Sequence, residues 1–345
     1  MRPSGYLTIC LVVMLALSAL PLFAQAAQEK APQIRTQPEF NAYNACFTEK
    51  DPVKKADLCQ KFVDGFKDSD FLISGYKLII QSYYQSQNWK LLMDTTDRVV
   101  ALPSADNSVK SYAYESAMVA AQNSNNIDKC VSYGDKVLAI DMDNFNALYT
   151  VSTVIPQQYS SDMTQLVRAG DMARKALLLA ASMIEKAAPQ EKPQLALIDG
   201  NLHGALGLIS YHQKDFKKSI QEYQAAIKDN VKDDASHFFM AYDYVNLMVQ
   251  ATQDFQTALK AENDAKAAKA DQPTVDELGA KRSGFADDIL KYRDTVIDEL
   301  ALTVAINGAY AAQAKPELTK QWTAKNNNTT GLDEFVIQKK GQVGG

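Results

Sequence analysis

Histidine is scarce in this chain, with three residues among 345. Because histidine is the side chain most often used for acid–base chemistry near neutral pH, this scarcity removes most catalytic arrangements that depend on it. The chain also contains no G-x-S-x-G, H-E-x-x-H, phosphate-binding-loop or G-x-G-x-x-G motif. We therefore predict a protein that is not an enzyme and that uses neither a cofactor nor a metal ion.

Two further shortages exclude whole classes of protein. The 15 glycines are too few for a turn-rich β fold, and no useful length of strand-like alternation occurs. No excess of basic residues is present either, since 36 Lys and Arg stand against 41 Asp and Glu, a net charge of −5. A slightly acidic chain with scattered lysines gives no electrostatic reason to expect nucleic acid as a partner.

One long apolar run is present, and it lies at the N-terminus. Leu7 to Leu20 form the run, and the small residues Ala24 and Ala26 follow at the two positions that a signal peptidase reads. We predict that residues 1–26 are a signal peptide cleaved after Ala26, which makes the protein periplasmic or secreted. The alternative is an uncleaved anchor, because the run and the residues just after it are long enough to cross a bilayer. No later segment reaches that length.

Three cysteines follow the signal segment: Cys46, Cys59 and Cys130. Cys46 and Cys59 fall in two neighbouring predicted helices, and in an oxidising compartment they are candidates for a disulfide. The sequence leaves the bridged and the unbridged states open. Cys130 stands where a small buried residue is expected, so we interpret it as a packed thiol.

The clearest pattern in the chain is a helical hairpin at Gly200 to Val231. Its first helix carries inward residues at positions i, i+3, i+4 and i+7, and after a polar break a second helix repeats this spacing from Phe216. Small residues (Gly207, Ser219, Ala226) stand where two helix backbones must come close, beside large residues that fill the remaining space. This alternation predicts a hairpin that packs against others like itself.

The residues that stand at characteristic spacings in this hairpin are Leu206, Gly207, Phe216, Tyr223 and Ala226. In these positions they resemble the tetratricopeptide repeat, a family of two-helix units of about 34 residues. The chain departs from the family at Lys214, where the family has a glycine, and at Val231, where it has a proline. The resemblance implies a right-handed stack of hairpins and says little about function.

Weaker copies of the hairpin recur along the chain. The second helices of the successive hairpins open at Val53, Trp89, Ile127, Leu166, Phe216 and Phe255. The last of these hairpins takes His237 to Tyr244 as its first helix. After Gly284 the pattern fades into a long helix from Phe285 to Ala314 and two shorter ones. We therefore predict a flexible lead-in at 27–38, a repeat domain at 39–284, and a helical cap with a disordered tail at 285–345.

His203 and His237 occupy equivalent places in consecutive hairpins. A pair of metal ligands on adjacent helices is one interpretation. We favour packing between hairpins, because no carboxylate or cysteine follows either histidine by three or four residues to complete a coordination set.

The resemblance also implies a partner-binding groove, because the first helix of each stacked hairpin lines the concave side. The residues that it places there are Lys77, Gln81, Tyr84, Tyr112, Asn123, Tyr149, Tyr211, His212, Phe238, Tyr242 and Asn246, with Glu115, Val119, Asn146 and Leu208 on the same faces. Tyrosine offers large contact area, and amides can bond an extended peptide backbone. The alternative is that these aromatic residues only pack the helices together.

Together these patterns predict an all-α fold, a right-handed α-solenoid of about six tetratricopeptide-like hairpins with a C-terminal helical cap. The predicted function is a non-catalytic scaffold of the bacterial cell envelope that binds a protein or peptide partner through the groove. The alternative is an envelope enzyme or small-ligand carrier whose hairpins enclose a pocket. A third hypothesis is a structural spacer that self-associates.

Overall fold

The computed structural model describes residues 33–344, and within this range every regular element is an α-helix. In chain order the helices are α1 (Gln37–Thr48), α2 (Pro52–Gly65), α3 (Leu72–Gln85), α4 (Trp89–Val100), α5 (Asn107–Asn123), α6 (Ile127–Ile140), α7 (Phe145–Gln158), α8 (Met163–Lys186), α9 (Lys192–His212), α10 (Phe216–Asp229), α11 (Asp234–Ala267), α12 (Gln272–Ile306), α13 (Ala311–Asn326) and α14 (Leu332–Gln342). The predicted all-α class is confirmed for the described residues. The predicted signal peptide, residues 1–26, lies outside them.

The chain divides into two compact units, Met1–Val154 (unit 1) and Ile155–Gly345 (unit 2). In unit 1, α2 packs on α1 and α3, α4 packs on α3 and α5, and α5 also packs on α6. In unit 2, α9 packs on α8 and α10, α11 packs on α10 and α12, and α12 also packs on α13 and α14. Packing of each helix mainly on its neighbours in the chain is the property of a helical-repeat fold, so the predicted repeat class is confirmed within each unit.

Three of the hairpin turns share one geometry. Each has a residue in the left-handed region, followed by a residue that donates its N–H to the carbonyl five positions earlier and then caps the next helix. The left-handed residues are Gln87 (φ 54°), Asn125 (φ 55°) and Lys214 (φ 62°), and the capping residues are Asn88, Asn126 and Asp215, with N–H to carbonyl distances of 2.8, 2.8 and 2.9 Å. A positive φ is least strained in glycine, which gives a physical reason for the family's glycine at the position of Lys214.

The second helices begin where these turns place them. The helices α4, α6 and α10 begin at Trp89, Ile127 and Phe216, the residues predicted to open them. The helix α8 begins at Met163, ahead of the predicted Leu166, because Asp162 caps it by accepting bonds from two backbone N–H groups.

The two helices predicted for the sixth hairpin are wrong. The segments His237 to Tyr244 and Phe255 to Ala265 were expected to be two helices, but both belong to the single 34-residue helix α11. The residues between Tyr244 and Phe255 include no glycine or proline that would break a helix, so the helix continues through them. The helix that folds back on α11 is α12, and a turn with Lys269 at φ 53° connects them.

The helix expected at Phe285 to Ala314 is also displaced. The helix α12 begins at Gln272, with Pro273 in its first turn, and ends at Ile306, where Asn307 adopts a left-handed φ of 59°. The predicted boundary between residues 284 and 285 therefore falls inside a continuous helix. Apolar side chains of α11, α12, α13 and α14, including Phe238, Leu300 and Leu318, form one core.

The described part of the predicted lead-in, residues 33–38, is bonded to the rest of unit 1. The Arg35 guanidinium pairs with Asp70 at 2.6 Å, and the Arg35 N–H donates to Glu39 Oε2 at 2.8 Å. Thr36 accepts a bond from the Glu39 N–H and caps α1, which begins at Gln37 rather than at Glu39.

The first hairpin brings two cysteines together. Cys46 on α1 and Cys59 on α2 are joined by a disulfide, with their Cα atoms 4.7 Å apart. Both residues are fully buried, as is Cys130 on α6.

Small residues lie at the contact between α9 and α10. A Cβ atom at Gly207 would lie 2.6 Å from the Tyr223 ring, and the Ser219 hydroxyl donates to the Gly207 carbonyl at 2.8 Å. Ala226 is fully buried in the same hairpin. The prediction that Gly207, Ser219 and Ala226 allow the two helices to approach is confirmed.

None of the helices within residues 33–344 combines the length and the apolar character that crossing a membrane requires.

Candidate functional site

An open pocket of about 490 Å³ lies on unit 1, lined by residues of α3 and α5. Its lining residues, called the tyrosine pocket below, are Tyr84, Ser108, Ser111, Tyr112, Glu115, Ser116 and Val119. Six of the seven stand on α5 at the spacings that share one helix face, and Tyr84 reaches them from the last turn of α3. The pocket therefore unites two residues predicted for the groove, Tyr84 and Tyr112, with Glu115 and Val119 of the same face.

Neighbouring aromatic and basic groups position the two tyrosine rings. The Tyr84 ring meets the Trp89 ring edge-on, with centroids 5.7 Å apart. The Lys77 ammonium lies 5.8 Å from the centroid of the Tyr112 ring. A tyrosine phenol is neutral at physiological pH, and burial raises the pKa of the Tyr112 phenol further, although the side chain is 39% exposed.

Glu115 is the only carboxylate in the lining, and its orientation is fixed from three sides. Its Oε1 accepts from Asn144 Nδ2 at 3.0 Å and from the Ser111 hydroxyl at 3.3 Å, and its Oε2 accepts from Asn146 Nδ2 at 3.2 Å. All three partners are neutral, and Glu115 forms no ion pair with a basic side chain among the described residues.

Asn144 links this carboxylate to the next helix. Its Oδ1 accepts from the Ala147 N–H at 3.0 Å in the first turn of α7, which leaves its Nδ2 available to Glu115. Sequence reasoning missed Asn144 and the three serines. An asparagine just before a helix and serines at the helical spacing of α5 were the signals that could have identified them.

The other predicted groove residues of unit 1 do not line the pocket. Lys77 and Gln81 are exposed on α3. Asn123 Nδ2 donates to the Val119 carbonyl of its own helix at 2.9 Å. Tyr149 on α7 stacks on Phe145, with centroids 6.2 Å apart.

The predicted groove residues of unit 2 do not form a comparable surface. Phe238 is 7% exposed and belongs to the core with α12, α13 and α14, so its assignment to a groove is wrong. The physical reason is that the C-terminal helices cover the face of α11 that a two-helix repeat leaves open. Tyr242 packs against the same core, and Asn246 Nδ2 donates to the Tyr242 carbonyl at 2.8 Å.

Tyr211 and His212 at the end of α9 also make internal contacts. The Tyr211 ring lies 5.9 Å from the Phe239 ring and 6.2 Å from the Phe216 ring. His212 Nε2 lies 3.0 Å from the Pro156 carbonyl oxygen, so this nitrogen must carry the proton. Burial lowers the pKa of His212, which keeps the imidazole neutral.

The other two histidines each bond a carboxylate on a neighbouring helix. His203 Nδ1 on α9 lies 2.8 Å from Glu222 Oε2 on α10, and His237 Nδ1 on α11 lies 2.6 Å from Glu299 Oε2 on α12. The residue spacing after each histidine could not reveal these partners, because both carboxylates pack from another helix. No group of three or more potential metal ligands occurs within residues 33–344.

A buried polar group lies in the core of unit 2. Asp243 on α11 is 0% exposed, and neither of its carboxylate oxygens has a hydrogen-bond partner in the structure. Its neighbour Tyr223 on α10 is also buried, with its hydroxyl equally unsatisfied. Burial raises the pKa of Asp243 from 3.8 to about 7, and burial together with the Asp243 charge raises that of Tyr223.

No family model matches the chain, and no curated protein matches it. Among solved structures, a monomeric mutant of IFIT1 with m7Gppp-AAAA is similar, with a TM-score of 0.34 and 10% identity, over 88% of this chain and 68% of that chain. The APC/C hetero-tetramer Cut9-Hcn1 is similar with a TM-score of 0.25 and 14% identity, over 82% of this chain and 55% of that chain. This chain thus spans about half of the second structure.

Both similar proteins contain tetratricopeptide repeats. Both TM-scores are below 0.5. The assignment to the helical-repeat class rests on the chain's own repeated turns and on its neighbour-to-neighbour packing.

Proposed function

We propose that this protein is a non-catalytic scaffold that binds an extended segment of a partner protein in the cell envelope. The binding site is the tyrosine pocket of unit 1 together with the exposed faces of α3, α5 and α7 beside it. The observation that carries the proposal is that Tyr84 and Tyr112, from different helices, line one open pocket of about 490 Å³.

The chemistry of the pocket suits a peptide segment. Tyrosine rings give large contact areas and lose little rotamer entropy on binding, and the serine and carboxylate oxygens around them accept hydrogen bonds from a backbone or side chain. The pocket is open rather than enclosed, which favours a segment laid across it over a small molecule held inside. Affinity then comes from a few aromatic anchors and several shallow contacts.

The location in the envelope is the second part of the proposal, and it is supported by the N-terminal sequence. Cleavage after Ala26 would give an exported protein that begins at Ala27. N-terminal sequencing of the protein recovered from the envelope fraction tests this. A mature N-terminus at Met1 in a membrane fraction would favour the uncleaved anchor instead.

The binding site is tested with the double change Tyr84→Ala and Tyr112→Ala. We expect this variant to lose roughly 2 to 4 kcal/mol of binding free energy for a segment selected from a displayed peptide library against the unaltered protein, because both rings serve as anchors. The measurement is a titration of the synthetic segment, with circular dichroism to establish that the variant is folded.

The matched control is Leu178→Ala with Ile337→Ala, which removes apolar side chains that are 75% and 70% exposed on unit 2. Unchanged affinity in the control and reduced affinity in the tyrosine variant support the site. Equal affinities for the tyrosine variant and the unaltered protein rule it out.

A further inference from the structure

The tyrosine pocket has a marked bias in its hydrogen-bonding groups. Its three serine hydroxyls each have a single hydrogen, and each donates it to an acceptor of the chain itself. Ser108 donates to Asp106 Oδ1 at 2.9 Å, Ser111 donates to Glu115 Oε1 at 3.3 Å, and Ser116 donates to the Tyr112 carbonyl at 2.8 Å. What these hydroxyls offer a ligand is therefore oxygen lone pairs.

Glu115 adds a full negative charge to these acceptors. A carboxylate has about four lone-pair positions, and the three bonds from Asn144, Asn146 and Ser111 leave a position on Oε2. Because the three donors are neutral, they hold the carboxylate in place without cancelling its charge. A half-buried carboxylate of this kind gains most from a cationic partner.

The tyrosine rings supply the third attraction. The face of a tyrosine ring attracts a cation that lies within about 6 Å of its centroid. The Tyr112 ring already has the Lys77 ammonium at 5.8 Å. Lys77 is exposed on a flexible stem, so an incoming cation can take its place.

From these three features we infer that the tyrosine pocket receives a positively charged side chain, lysine or arginine, of the bound segment. The inference rests on the proposed peptide-binding function and specifies its partner. Acceptor oxygens, one fixed carboxylate and two tyrosine rings match a group that has several N–H donors and a positive charge. A carboxylate or an apolar side chain would leave Glu115 unneutralised and the acceptors unbonded.

The first test uses three small probes and the purified full protein. They are N-acetyl-arginine methylamide, N-acetyl-norleucine methylamide and N-acetyl-glutamate methylamide, each titrated at low ionic strength with binding followed by NMR. We expect saturable binding of the arginine probe, and weaker binding of the other two. The inference is wrong if the arginine probe does not saturate, or if either other probe binds as tightly.

The second test changes charges one at a time. Glu115→Gln removes the charge and keeps one acceptor oxygen, which can serve Asn144 and Ser111 but not Asn146, so we expect the Kd of the arginine probe to rise roughly three- to fivefold. Lys77→Met removes the competing cation, so we expect the same Kd to fall. The control is Asp57→Asn, which changes net charge equally at an exposed carboxylate on α2 and should leave the Kd unaltered.

Opposite shifts for the Glu115 and Lys77 variants support the inference, and an unchanged Kd in either variant overturns it. Thermal unfolding of each variant establishes that the fold is intact. The proposed function is tested separately from the inference. If a selected segment requires Tyr84 and Tyr112 but still binds when norleucine replaces all its lysines and arginines, the proposed function stands and the inference of a cationic side chain is wrong. If the segment binds with the same affinity after both tyrosines are replaced, the proposed function is wrong.

Discussion

The buried carboxyl of Asp243 affects the stability of unit 2 in a way that depends on pH. Its folded pKa is about 7, against 3.8 for the unperturbed group. Between these pH values the folded chain keeps a proton that the unfolded chain releases, so the free energy of unfolding falls as pH rises through this window. Above about pH 7 the charged form is buried beside the unsatisfied Tyr223 hydroxyl, and the penalty is at its largest.

We expect Asp243→Asn to flatten this pH dependence. The full rise from 3.8 to about 7 corresponds to at most about 4 kcal/mol between the protonation states. The measurement is urea unfolding of both proteins at pH 5 and pH 8. The unaltered protein should lose stability between these pH values and the variant should lose distinctly less, whereas parallel pH profiles would show that Asp243 does not titrate in this range.

Gly207 shows how a single side chain controls the distance between two helices. We expect Gly207→Leu to lower the free energy of unfolding by roughly 1 to 3 kcal/mol, because a Cβ atom there would lie 2.6 Å from the Tyr223 ring. Gly204→Ala, one turn earlier in α9, is the matched control. Its Cβ would meet only Ser236 Oγ, at 3.7 Å, so alanine there should be neutral or should stabilise the helix by about 0.5 kcal/mol or more.

Chemical denaturation of the two glycine variants checks this contrast. Similar stabilities for Gly207→Leu and Gly204→Ala would mean that α9 and α10 are not in close contact at Gly207.

At the scale of elements, the hairpin α1–α2 contains the only disulfide within residues 33–344, between Cys46 and Cys59. It closes a short loop at one end of unit 1, so it stabilises chiefly by restricting the unfolded chain. We expect Cys46→Ser with Cys59→Ser to lower the stability of unit 1 by about 2 to 4 kcal/mol.

The bond itself is checked by alkylating the unfolded, exported protein before and after reduction. Labelling of Cys130 alone before reduction, and of all three cysteines after it, is the expected result. Labelling of three thiols before reduction would show that the bridge does not form in the cell.

At the scale of the whole molecule, helix-to-helix contacts connect mainly neighbours in the chain. In repeat proteins of this kind, stability is roughly a sum over local units and their adjacent interfaces. A perturbation therefore lowers the local stability most in the helices nearest to it. The two units contain groups that respond to different conditions. The disulfide, which responds to reduction, belongs to unit 1, and Asp243, which responds to pH, belongs to unit 2.

We therefore expect reduction and alkaline pH to act on different parts of the chain. Hydrogen exchange followed by mass spectrometry should show faster exchange mainly in α1 to α3 after reduction, and mainly in α10 to α12 when the pH is raised from 5 to 8, after correction for intrinsic exchange rates. Uniform acceleration along the whole chain under both conditions would indicate a single cooperative unit instead.

Local signals were sufficient for much of the fold. Trp89, Ile127 and Phe216 were identified correctly as the first residues of helices, because the helical spacing of inward-facing residues begins at each of them. The small residues of α9 and α10 were also recognised, since helical spacing alone places them on one face. The resemblance to the two-helix repeat placed Tyr84, Tyr112 and Glu115 on one side of the hairpins, and all three line the pocket.

Long-range contacts decided the rest. The length of α11, the covering of Phe238 by α12 to α14, and the bonds from histidines to Glu222 and Glu299 depend on segments that are distant in sequence, about which local spacing carries no information. The helical class, the repeated hairpins and the small residues at helix contacts could be predicted from the order of amino acids, because they follow from the spacing of side chains along one helix. Which faces stay open and which carboxylates find partners depends on which helices pack together, so these features became visible only in the folded protein.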